Sequence, residues 1–380
     1  MKFSIEKSRL SLLTAIVNRA AAHRSTIPAL SGVMINLNKE NGITLTATDM
    51  EISIVANDKN VDIIEDGQVL VNAAYFSDFI KLLPEGDVLV ELSKEKAVLE
   101  VYYGKSKGQL NIYNEEDYPE LPLQEARHIF SLKSSDLREA LKRTVLAAAV
   151  NHYRQIFNGV LFDVQADKNI LNTVASDTHR LALYSQKLPS AVSENINFIV
   201  PLRTVQELLR LLADDSDVEI SVLENNVIFT EKDRFILYSR LISGNYPNYD
   251  AVIPKESTTE FNINPKLLTN ALERSKVIPI TDKFQIPSVN LSLAEREIKL
   301  NTASETMGEI NEVLDNIDIA GDSDFTIAFN TGYFLDIAKL LAGEAEQMNI
   351  KLSGALGPAL MKNPDNANYL YVLVPLRTSN

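Results

Sequence analysis

The sequence predicts an α+β fold made of three tandem repeats of one unit, each with two helices and an antiparallel sheet. With 380 residues the chain is too long for a single ordinary core, so an internal repeat is the first pattern to test. Three kinds of segment recur in the same order and at agreeing intervals. They are Ala47-Thr48-Asp49, Ala175-Ser176-Asp177 and Ala303-Ser304-Glu305, at intervals of 128 residues; Lys81-Leu82-Leu83, Arg210-Leu211-Leu212 and Lys339-Leu340-Leu341, at intervals of 129; and Phe3-Ser4-Ile5, Phe130-Ser131-Leu132 and Phe261-Asn262-Ile263.

Each phenylalanine segment begins a unit with the same order of elements. A short strand leads into a helical pattern that holds a leucine at a constant offset, namely Leu10, Leu137 or Leu268. Alternating strands, a second helix and further strands follow. Because short turns rather than crossover helices join most strands, the sheets should be antiparallel. In the first unit we expect helices near 8–22 and 73–83, and strands at 3–6, 43–47, 51–55, 88–92 and 97–102.

Prolines mark the ends of the units. Pro119 and Pro122 lie near the end of the first unit, and Pro247 and Pro254 lie near the end of the second. The boundaries therefore fall at about residues 126 and 256. The predicted domains are 1–126, 127–256 and 257–380.

The composition is that of a folded globular protein, with 45% hydrophobic and 23% charged residues. The absence of cysteine from the sequence excludes disulfides, thiolate metal sites, iron–sulfur clusters and a cysteine nucleophile. The first ten residues lack the apolar core of a signal peptide, and no apolar run approaches the ~18 residues that a membrane span needs. We therefore expect a cytoplasmic protein that does not enter a membrane.

The net charge of −14 would argue against a nucleic-acid partner if the charge were spread evenly. The three predicted domains carry −7, −1 and −6, whereas the six predicted helices sum to +6 and leave −20 for strands and loops. Residues 7–39 contain no acid at all. Two interpretations remain open: the helix surfaces simply carry bases, or the helices are segregated to face phosphate.

Several short motifs are weak candidates for chemistry. Gly104-Lys105-Ser106 ends like a phosphate-binding loop, but Leu99 stands where the first glycine belongs and a strand rather than a helix is expected next. The acids Asp49 and Glu51 lack the spacing of a metal cage. The same holds for Asp214, Asp215 and Asp217, and the four histidines are scattered.

Ser176-Asp177-Thr178-His179 brings a hydroxyl, an acid and an imidazole together, as a hydrolase would. Catalytic triads are assembled from residues remote in sequence, however, and the same turn recurs in the first and third units without a histidine. We therefore expect a structural turn. Nothing in the sequence indicates catalytic residues, a metal or a cofactor.

Longer segments spread over the whole chain form a specific pattern. They are Met1-Lys2-Phe3, Arg24-Ser25-Thr26-Ile27-Pro28-Ala29-Leu30, Thr46–Glu51, Asn158–Phe162, Val174–Ala182, Gly244–Tyr249 and Val374-Pro375-Leu376-Arg377. Together they resemble the bacterial β sliding clamp family, the processivity subunit of DNA polymerase III.

The resemblance implies a noncatalytic DNA clamp, a head-to-tail homodimer of three-domain protomers closed into a ring that tethers the replicative polymerase to duplex DNA. Six units would contribute twelve helices, and at ~10 Å per helix these form a ring ~40 Å across, wide enough for a duplex. Contacts with DNA would be sequence-independent and directed at phosphates. Ala74 stands where relatives can carry a base. The positions expected to meet DNA are Arg24, Lys105, Asn151 and Arg203.

The resemblance also implies a pocket between the second and third domains. There, the DNA polymerase III alpha subunit, the clamp loader and other partners would dock short peptides, typically a glutamine followed by apolar residues. Ala251 and Pro358 replace other residue types found in relatives, so partner preference is expected to differ. The matching positions are Phe157, Ser176, Thr178, His179, Arg180, Leu181, Pro247, Val252, Leu356, Pro358, Val372, Val374, Pro375, Leu376 and Arg377.

The dimer seam implied by the resemblance joins an edge strand near Leu110 to Val277 and Ile278 of the other protomer. Gly108 stands where an aromatic residue would strengthen the seam, so we expect a looser one. Two further hypotheses remain: a tandem-repeat scaffold that binds peptides without DNA, suggested by the charge of −14 and the apolar segment 369–377, and a hydrolase that uses His179.

Overall fold

The computed structural model confirms three tandem repeats in which two helices accompany antiparallel strands. The leucines at the constant offset are all buried: Leu10 and Leu137 are 0% exposed and Leu268 is 1% exposed. The repeat in the sequence is therefore a repeat of core positions. The structure describes residues 1–120, 127–213, 215–278, 286–304 and 307–377.

Some predicted features lie outside these residues and stay predictions. They are Pro122, the boundary at residue 126, Asp214 and Glu305.

The first repeat has the order that the sequence predicts, although the first helix is shorter than expected. It ends at Val17 and continues as a 3₁₀ turn, Asn18–Ala20. The second helix begins after Asn72, whose side chain accepts a hydrogen bond from the Tyr75 amide at 2.9 Å. The elements are β1 (Lys2–Glu6), α1 (Lys7–Val17), β2 (Gly32–Asn38), β3 (Gly42–Thr48), β4 (Ile52–Asp58), β5 (Asp62–Glu65), β6 (Gly67–Asn72), α2 (Ala73–Leu82), β7 (Asp87–Ser93), β8 (Val98–Tyr103) and β9 (Ser106–Asn111).

The second repeat follows the same order with four rather than five strands between its two helices. Its elements are β10 (His128–Lys133), α3 (Ser134–Thr144), β11 (Gly159–Gln165), β12 (Ile170–Ser176), β13 (Arg180–Lys187), β14 (Ile196–Pro201), α4 (Leu202–Leu211), β15 (Asp217–Val222), β16 (Asn226–Glu231) and β17 (Phe235–Arg240).

The third repeat begins its helices with asparagine caps. Asn264 accepts from the Lys266 amide and Asn330 accepts from the Gly332 amide, each at 2.9 Å. The elements are β18 (Thr259–Ile263), α5 (Pro265–Ser275), β19 (Ser288–Ala294), β20 (Glu297–Ser304), β21 (Gly308–Asp315), β22 (Ile319–Gly321), β23 (Thr326–Asn330), α6 (Thr331–Ala342), β24 (Met348–Leu352), β25 (Ala359–Asn363) and β26 (Asn366–Leu373).

The chain folds into two compact units that do not coincide with the repeats. One unit contains Met1–Arg138 and Gln206–Leu241, and the other contains Glu139–Val205 and Ile242–Asn380. The strands of every repeat are divided between two sheets, and the second repeat shares one sheet with the first repeat and the other with the third. The linear pattern of strands does not reveal this pairing between repeats.

In the first unit, one sheet has the order β10-β15-β16-β17-β4-β3-β2-β6 and joins repeats one and two through the β17–β4 pair, where Leu237 lies opposite Ile54. The other sheet has the order β5-β1-β7-β8-β9. Helix α1 packs against α2 and against strands β3 and β4. Phe76 and Ile80 of α2 are fully buried in this core.

In the second unit, a nine-stranded sheet has the order β14-β11-β12-β13-β26-β25-β24-β18-β22. It joins repeats two and three through the antiparallel pair β13–β26, where Leu181 lies opposite Val372. A four-stranded sheet has the order β21-β20-β19-β23, and helix α5 packs against α6.

Candidate peptide-binding pocket

A cavity of about 550 Å³ lies in the second unit, at the pairing of β13 with β26. Leu181 and Val372, which face each other in this pair, both line it. The cavity is therefore built where two repeats share a sheet. Its lining residues are Arg154, Phe157, Ser176, Thr178, Arg180, Leu181, Tyr246, Pro247, Asn248, Tyr249, Ala251, Val252, Pro358, Val372 and Val374.

The floor of the pocket is the outer surface of a hydrophobic core. Phe157, Leu181 and Val372 are only 5%, 4% and 2% exposed and belong to one buried cluster with Val174. The rings of Phe157 and Tyr246 meet edge to face, with centroids 5.8 Å apart. Because these side chains are already packed from behind, the floor is formed before any ligand binds.

The wall of the pocket is the segment Tyr246–Val252, and a partly buried hydrogen-bond network holds it against the sheet. The hydroxyl of Tyr249 donates to Oδ2 of Asp163 on β11 and accepts from Nδ2 of Asn172 on β12 at 3.0 Å. Burial raises the pKa of Tyr249, and the hydrogen bond to Asp163 raises it further. The hydroxyl therefore stays protonated and keeps its role as donor.

The rim of the pocket includes the turn at Ser176-Asp177-Thr178-His179, whose residue types resemble those of a hydrolase site. The hydroxyl of Ser176 donates to the carbonyl of Arg180 at 2.8 Å and accepts from the amide of Thr178 at 3.2 Å. Oδ1 of Asp177 accepts from the amides of His179 and Arg180, both at 3.0 Å. Serine and aspartate thus hold the backbone of the turn, and the imidazole of His179 is exposed. The prediction of a structural turn is confirmed.

The first repeat contains the same turn. The hydroxyl of Thr48 accepts from the amide of Met50 at 3.0 Å, and Oδ1 of Asp49 accepts from the amides of Glu51 and Ile52. Met50 has a φ of 76°, and the equivalent Thr178 has a φ of 78°. This conformation is uncommon for residues other than glycine, and the side-chain hydrogen bonds of the turn stabilise it in both repeats.

The charge of Arg180 is paired with two acids of the protein. Its Nε donates to Asp177 at 3.0 Å, its Nη1 donates to Asp336 of α6 at 2.6 Å, and its guanidinium lies 4.0 Å from the ring centroid of Tyr333. Burial acts to lower the pKa of Arg180, but interactions with Tyr371, Asp336 and Asp177 raise it by more. Arg180 is therefore a permanently charged link between the turn and α6.

Arg154 is the second cation at the pocket, and its charge is available. Its guanidinium carbon lies 5.0 Å from the ring centroid of Phe157, and the residue is exposed. Within the described ranges no acid pairs with Arg154.

Ten of the fifteen residues expected in the pocket line it. Leu356 is 77% exposed, and His179 contributes its carbonyl, which accepts from the amide of Val374 at 2.9 Å. The amide of Leu376 donates to Ala328 at 2.8 Å, so the segment after β26 runs toward β23. The five expected residues that do not line the cavity are His179, Leu356, Pro375, Leu376 and Arg377.

The sequence prediction omitted five residues that line the cavity. Three of them, Tyr246, Asn248 and Tyr249, lie in the segment Gly244–Tyr249. This segment is one of those that carry the family resemblance, so the sequence could have indicated these residues. The sequence prediction includes Ala251 only as a replacement for another residue type found in relatives. Nothing in the sequence alone indicated Arg154, because its proximity to the pocket depends on the loop that precedes β11.

All four positions expected to meet DNA are exposed. Arg24 lies in the loop before β2 and Lys105 lies in the β8–β9 turn, both in the first unit. Asn151, with a φ of 58°, and Arg203 of α4 lie in the second unit. Their role in DNA binding stays a prediction.

The charge on the helices is close to the prediction but largely paired. The six α-helices of the described residues carry +5 rather than +6, because Lys276 lies one residue beyond α5. Many of these bases have acidic partners in the protein. Examples are Lys7 with Glu85 at 2.8 Å, Arg9 with Asp58 at 2.6 Å and Arg274 with Glu312 at 2.6 Å. The two interpretations of the helix charge both remain open.

The residues expected at the dimer seam lie on an edge strand and in the segment after a helix. Leu110 is on β9, the last strand of its sheet, while Val277, which is 76% exposed, and Ile278 follow α5. The site of Gly108 is already filled: a Cβ there would lie 2.4 Å from the ring of Phe79, which α2 supplies. An aromatic ring therefore does lie beside β9, but it belongs to Phe79 of α2 and not to a residue at position 108.

The described helices include none that is both long and apolar enough to cross a membrane. The described residues likewise contain no cluster of three or more potential metal-binding His, Asp or Glu side chains.

Three family models cover nearly the whole chain. The N-terminal domain of the DNA polymerase III beta subunit matches residues 1–122, the central domain matches 131–248 and the C-terminal domain matches 250–377. The matches fall in order on the three repeats.

Individual relatives agree with the family models. The beta sliding clamp of Bacillus subtilis is 30% identical over 386 residues, covering 100% of both chains, and that of Escherichia coli is 28% identical, covering 99% of this chain and 100% of its own. The crystal structure of the DNA polymerase sliding clamp from Bacillus subtilis has a TM-score of 0.91 to this chain, with 29% identity and full coverage of both. The chain therefore belongs to the DNA polymerase III beta subunit family, the noncatalytic sliding clamps of DNA replication.

Proposed function

We propose that this clamp works as a head-to-tail homodimeric ring that encircles duplex DNA and tethers the replicative polymerase and other partners to it. The observation that carries the proposal is that two of the open sheet edges, at β9 and β21, lie in repeats one and three. Strand β9 pairs with β8 along one edge and β21 pairs with β20 along one edge, and neither has a ladder with a described strand along the other. Unpaired backbone groups at such edges favour pairing with another chain.

Pairing of β9 with β21 of a second copy would occur twice in a head-to-tail dimer and would leave neither edge open. Such a contact closes only if both seams form together, which gives a ring of six repeats. Leu110 on β9, and Val277 and Ile278 after α5, would supply apolar contacts at each seam. The expectation of a looser seam stays a prediction, although Phe79 already covers Gly108.

The proposed contacts with DNA are Arg24, Lys105, Asn151 and Arg203. A ring retains DNA by topology, so these contacts need only be weak, directed at phosphates and independent of sequence. The exposure of all four residues supports this role. The proposed place of action is the cytoplasm, because the clamp acts on DNA and the sequence contains no cysteine.

The proposed partners at the pocket are the DNA polymerase III alpha subunit, the clamp loader and other proteins that present a short segment of glutamine followed by apolar residues. The preformed apolar floor of Phe157, Leu181 and Val372 would bind the apolar side chains. The side chain of Asn248, which is exposed at the rim, offers hydrogen-bonding groups for the glutamine. The proposal includes the flanking residues His179, Leu356, Pro375, Leu376 and Arg377 as contacts beyond the cavity.

The test is retention on DNA of defined topology. The labelled clamp is loaded onto a nicked circular plasmid by a clamp loader, separated from free protein by gel filtration, and the circle is then cut once. We expect the clamp to stay on the circle and to leave after cutting, and to stay on a cut molecule whose two ends are blocked by bound protein. Equal retention on open and closed DNA would contradict the ring. An absence of ring-shaped dimers in solution would favour a scaffold that binds peptides without DNA.

A further inference from the structure

The two faces of the β13–β26 pair differ in chemistry. Leu181 and Val372, which lie opposite each other, form part of the floor of the peptide pocket on one face. Three residues along the same strands, Tyr184 lies opposite Tyr369, and these two residues are called the tyrosine pair below. Because successive side chains of a strand point to opposite faces, the tyrosine pair lies on the face away from the pocket. The register that aligns the floor therefore also aligns the tyrosine pair.

Arg143 of α3 lies against both rings of the tyrosine pair. Its guanidinium carbon is 5.6 Å from the ring centroid of Tyr184 and 5.3 Å from that of Tyr369. The arginine is only 4% exposed, and Tyr369 is 0% exposed. One buried side chain thus contacts a strand of repeat two and a strand of repeat three where the two repeats join.

Two acids hold the guanidinium of Arg143 in place. Its Nε donates to Oε1 of Glu139 at 2.6 Å, one turn earlier on α3, and its Nη2 pairs with Oε2 of Glu344 at 2.6 Å. Glu344 lies just beyond α6, the second helix of repeat three. Burial acts to lower the pKa of Arg143, but the two glutamates raise it by more, so the side chain stays charged. Arg143 therefore links α3, the tyrosine pair and the end of α6.

Two arginines fasten the opposite ends of the strand pair. The pairing of β13 with β26 runs from Arg180 at one end to the tyrosine pair at the other. Arg180 joins the first end to Asp336 of α6, and Arg143 contacts the second end. A slip of one residue in such a short pairing would turn the side chains of a strand to the opposite face, and the floor of the pocket would be lost.

The surroundings of Arg143 do not suit a purely stabilising role. Its Nη1 and the hydroxyl of Tyr369 are buried, and neither has a hydrogen-bond partner in the described part of the chain. Buried polar groups without partners cost stability, and well-packed apolar residues often replace a buried ion pair without loss. A buried charge of this kind is better suited to specifying one arrangement of the chain, as buried polar residues do for the register of coiled coils.

We propose that Arg143 is a positioning residue for the peptide pocket. It holds β13 and β26 in the register that places Leu181 opposite Val372, and it acts from the far face of the sheet without touching the peptide. The proposal rests on the proposed docking of peptides at this pocket. Loss of Arg143 reduces the fraction of molecules with an intact floor, and the apparent affinity for a peptide falls in the same proportion.

The experiment compares two variants of α3 in the full chain. Arg143→Met removes the charge and keeps a long side chain, whereas Leu141→Ala truncates a fully buried side chain of the same helix. Both should lower the urea midpoint. The ligand is a synthetic peptide with a glutamine followed by apolar residues, and its binding is measured by fluorescence anisotropy. We expect binding to be about three- to tenfold weaker in Arg143→Met and unchanged in Leu141→Ala.

Hydrogen exchange supplies a local measurement that general destabilisation would not reproduce. In Arg143→Met the amides of Tyr369–Leu373 should lose more protection than those of β11 in the same sheet, whereas Leu141→Ala should affect both segments alike. Glu344→Gln weakens only the link to α6, so it should change affinity and protection in the same direction but by less. This milder variant carries the test if Arg143→Met does not fold.

An equal change of peptide affinity in Arg143→Met and Leu141→Ala, or no change in Arg143→Met, would overturn the proposal. Phe157→Ala, in the floor of the pocket, separates this failure from that of the docking proposal. If Phe157→Ala abolishes binding while Arg143→Met binds as the wild type does, the pocket stands and the role of Arg143 is wrong. If Phe157→Ala leaves the affinity unchanged, the peptide binds elsewhere and both proposals fail.

Discussion

The hydroxyl of Tyr249 donates a hydrogen bond to the carboxylate of Asp163, and this contact fastens the wall of the peptide pocket to the sheet behind it. The two residues are 86 positions apart, so the bond forms only when the wall segment folds back on β11. The same hydroxyl accepts from Asn172. A single tyrosine thus connects the wall with two strands.

Tyr249→Phe removes this connection and leaves Asp163 with fewer donors. We expect the free energy of unfolding to fall by about 1–2 kcal/mol, because the partly buried carboxylate of Asp163 loses one donor and keeps Nε2 of Gln165 at 2.9 Å. The affinity for a pocket-binding peptide should fall as well, since the wall is no longer held in position. Urea unfolding and peptide anisotropy measure the two effects.

The matched control is Tyr75→Phe, which removes a hydroxyl from a residue that is 72% exposed in the first unit. It should change neither quantity. Unaltered peptide affinity in Tyr249→Phe would show that the wall does not depend on this hydrogen bond.

Arg180→Met removes the link between the turn at Ser176–Arg180 and helix α6. Asp177, whose side chain is 9% exposed, would then lose its cation, and breaking such a buried pair typically costs about 3–5 kcal/mol. The loss at Asp336 adds little, because that side chain is 47% exposed. We expect a lower midpoint in urea and weaker peptide binding. The double variant Arg180→Met with Asp177→Asn should recover part of the stability, because it removes the buried charge left behind. No recovery would mean that packing rather than charge is the main contribution of Arg180.

Acid should weaken the sheet edge formed by β8 and β9. Glu100 accepts hydrogen bonds from Lys107, Tyr102 and Gln109, and these contacts, that with Lys107 first, lower its pKa from 4.5 to about 2. A lowered carboxyl pKa contributes stability that is fully present above the unfolded value and is lost as the pH falls through the folded one. The contribution of Glu100 is thus expected to disappear between about pH 4.5 and pH 2.

The measurement is the urea midpoint between pH 6 and pH 2.5 for the wild type and for Glu100→Gln. The variant should be less stable at pH 6, and the difference between the two proteins should narrow in acid. A difference that is constant over this range would contradict the assignment to Glu100.

A larger residue at Gly108 should weaken the protein rather than strengthen it. Gly108→Ala brings a methyl group to within 2.4 Å of Cζ of Phe79, so the ring must move. Because the φ of Gly108 is not positive, the cost comes from the ring alone, and we expect about 1–3 kcal/mol of destabilisation. Chemical unfolding measures this cost, and sedimentation equilibrium measures any change in self-association.

The double variant Gly108→Ala with Phe79→Leu tests the cause. A smaller side chain at position 79 should remove much of the cost of the added methyl group, so the effect of Gly108→Ala should be smaller in the Phe79→Leu background. Equal effects in both backgrounds would exclude a clash between residues 79 and 108 as the reason.

Much of the fold could be predicted because the three repeats place the same types of residue at equivalent buried positions and turns. Leu10, Leu137 and Leu268 recur because each unit buries the same face of its first helix. The turn at Ser176 recurs at Thr48 because short hydroxyl and carboxylate side chains satisfy neighbouring amides, and such contacts span only a few residues. The ends of elements were less accurate, since the first helix stops at Val17 and not at residue 22.

The sequence by itself determined the number of repeats, the class of fold and the family, because these depend on periodicity and on motifs read along the chain. The tertiary structure decided which strands pair between repeats, and through the contact of β13 with β26 it decided where the pocket lies. It also decided that Arg180 pairs with Asp336, 156 residues away, whereas no acid in the described part of the chain pairs with Arg154. Both are arginines in the sequence, and only the positions of distant acids distinguish their charges.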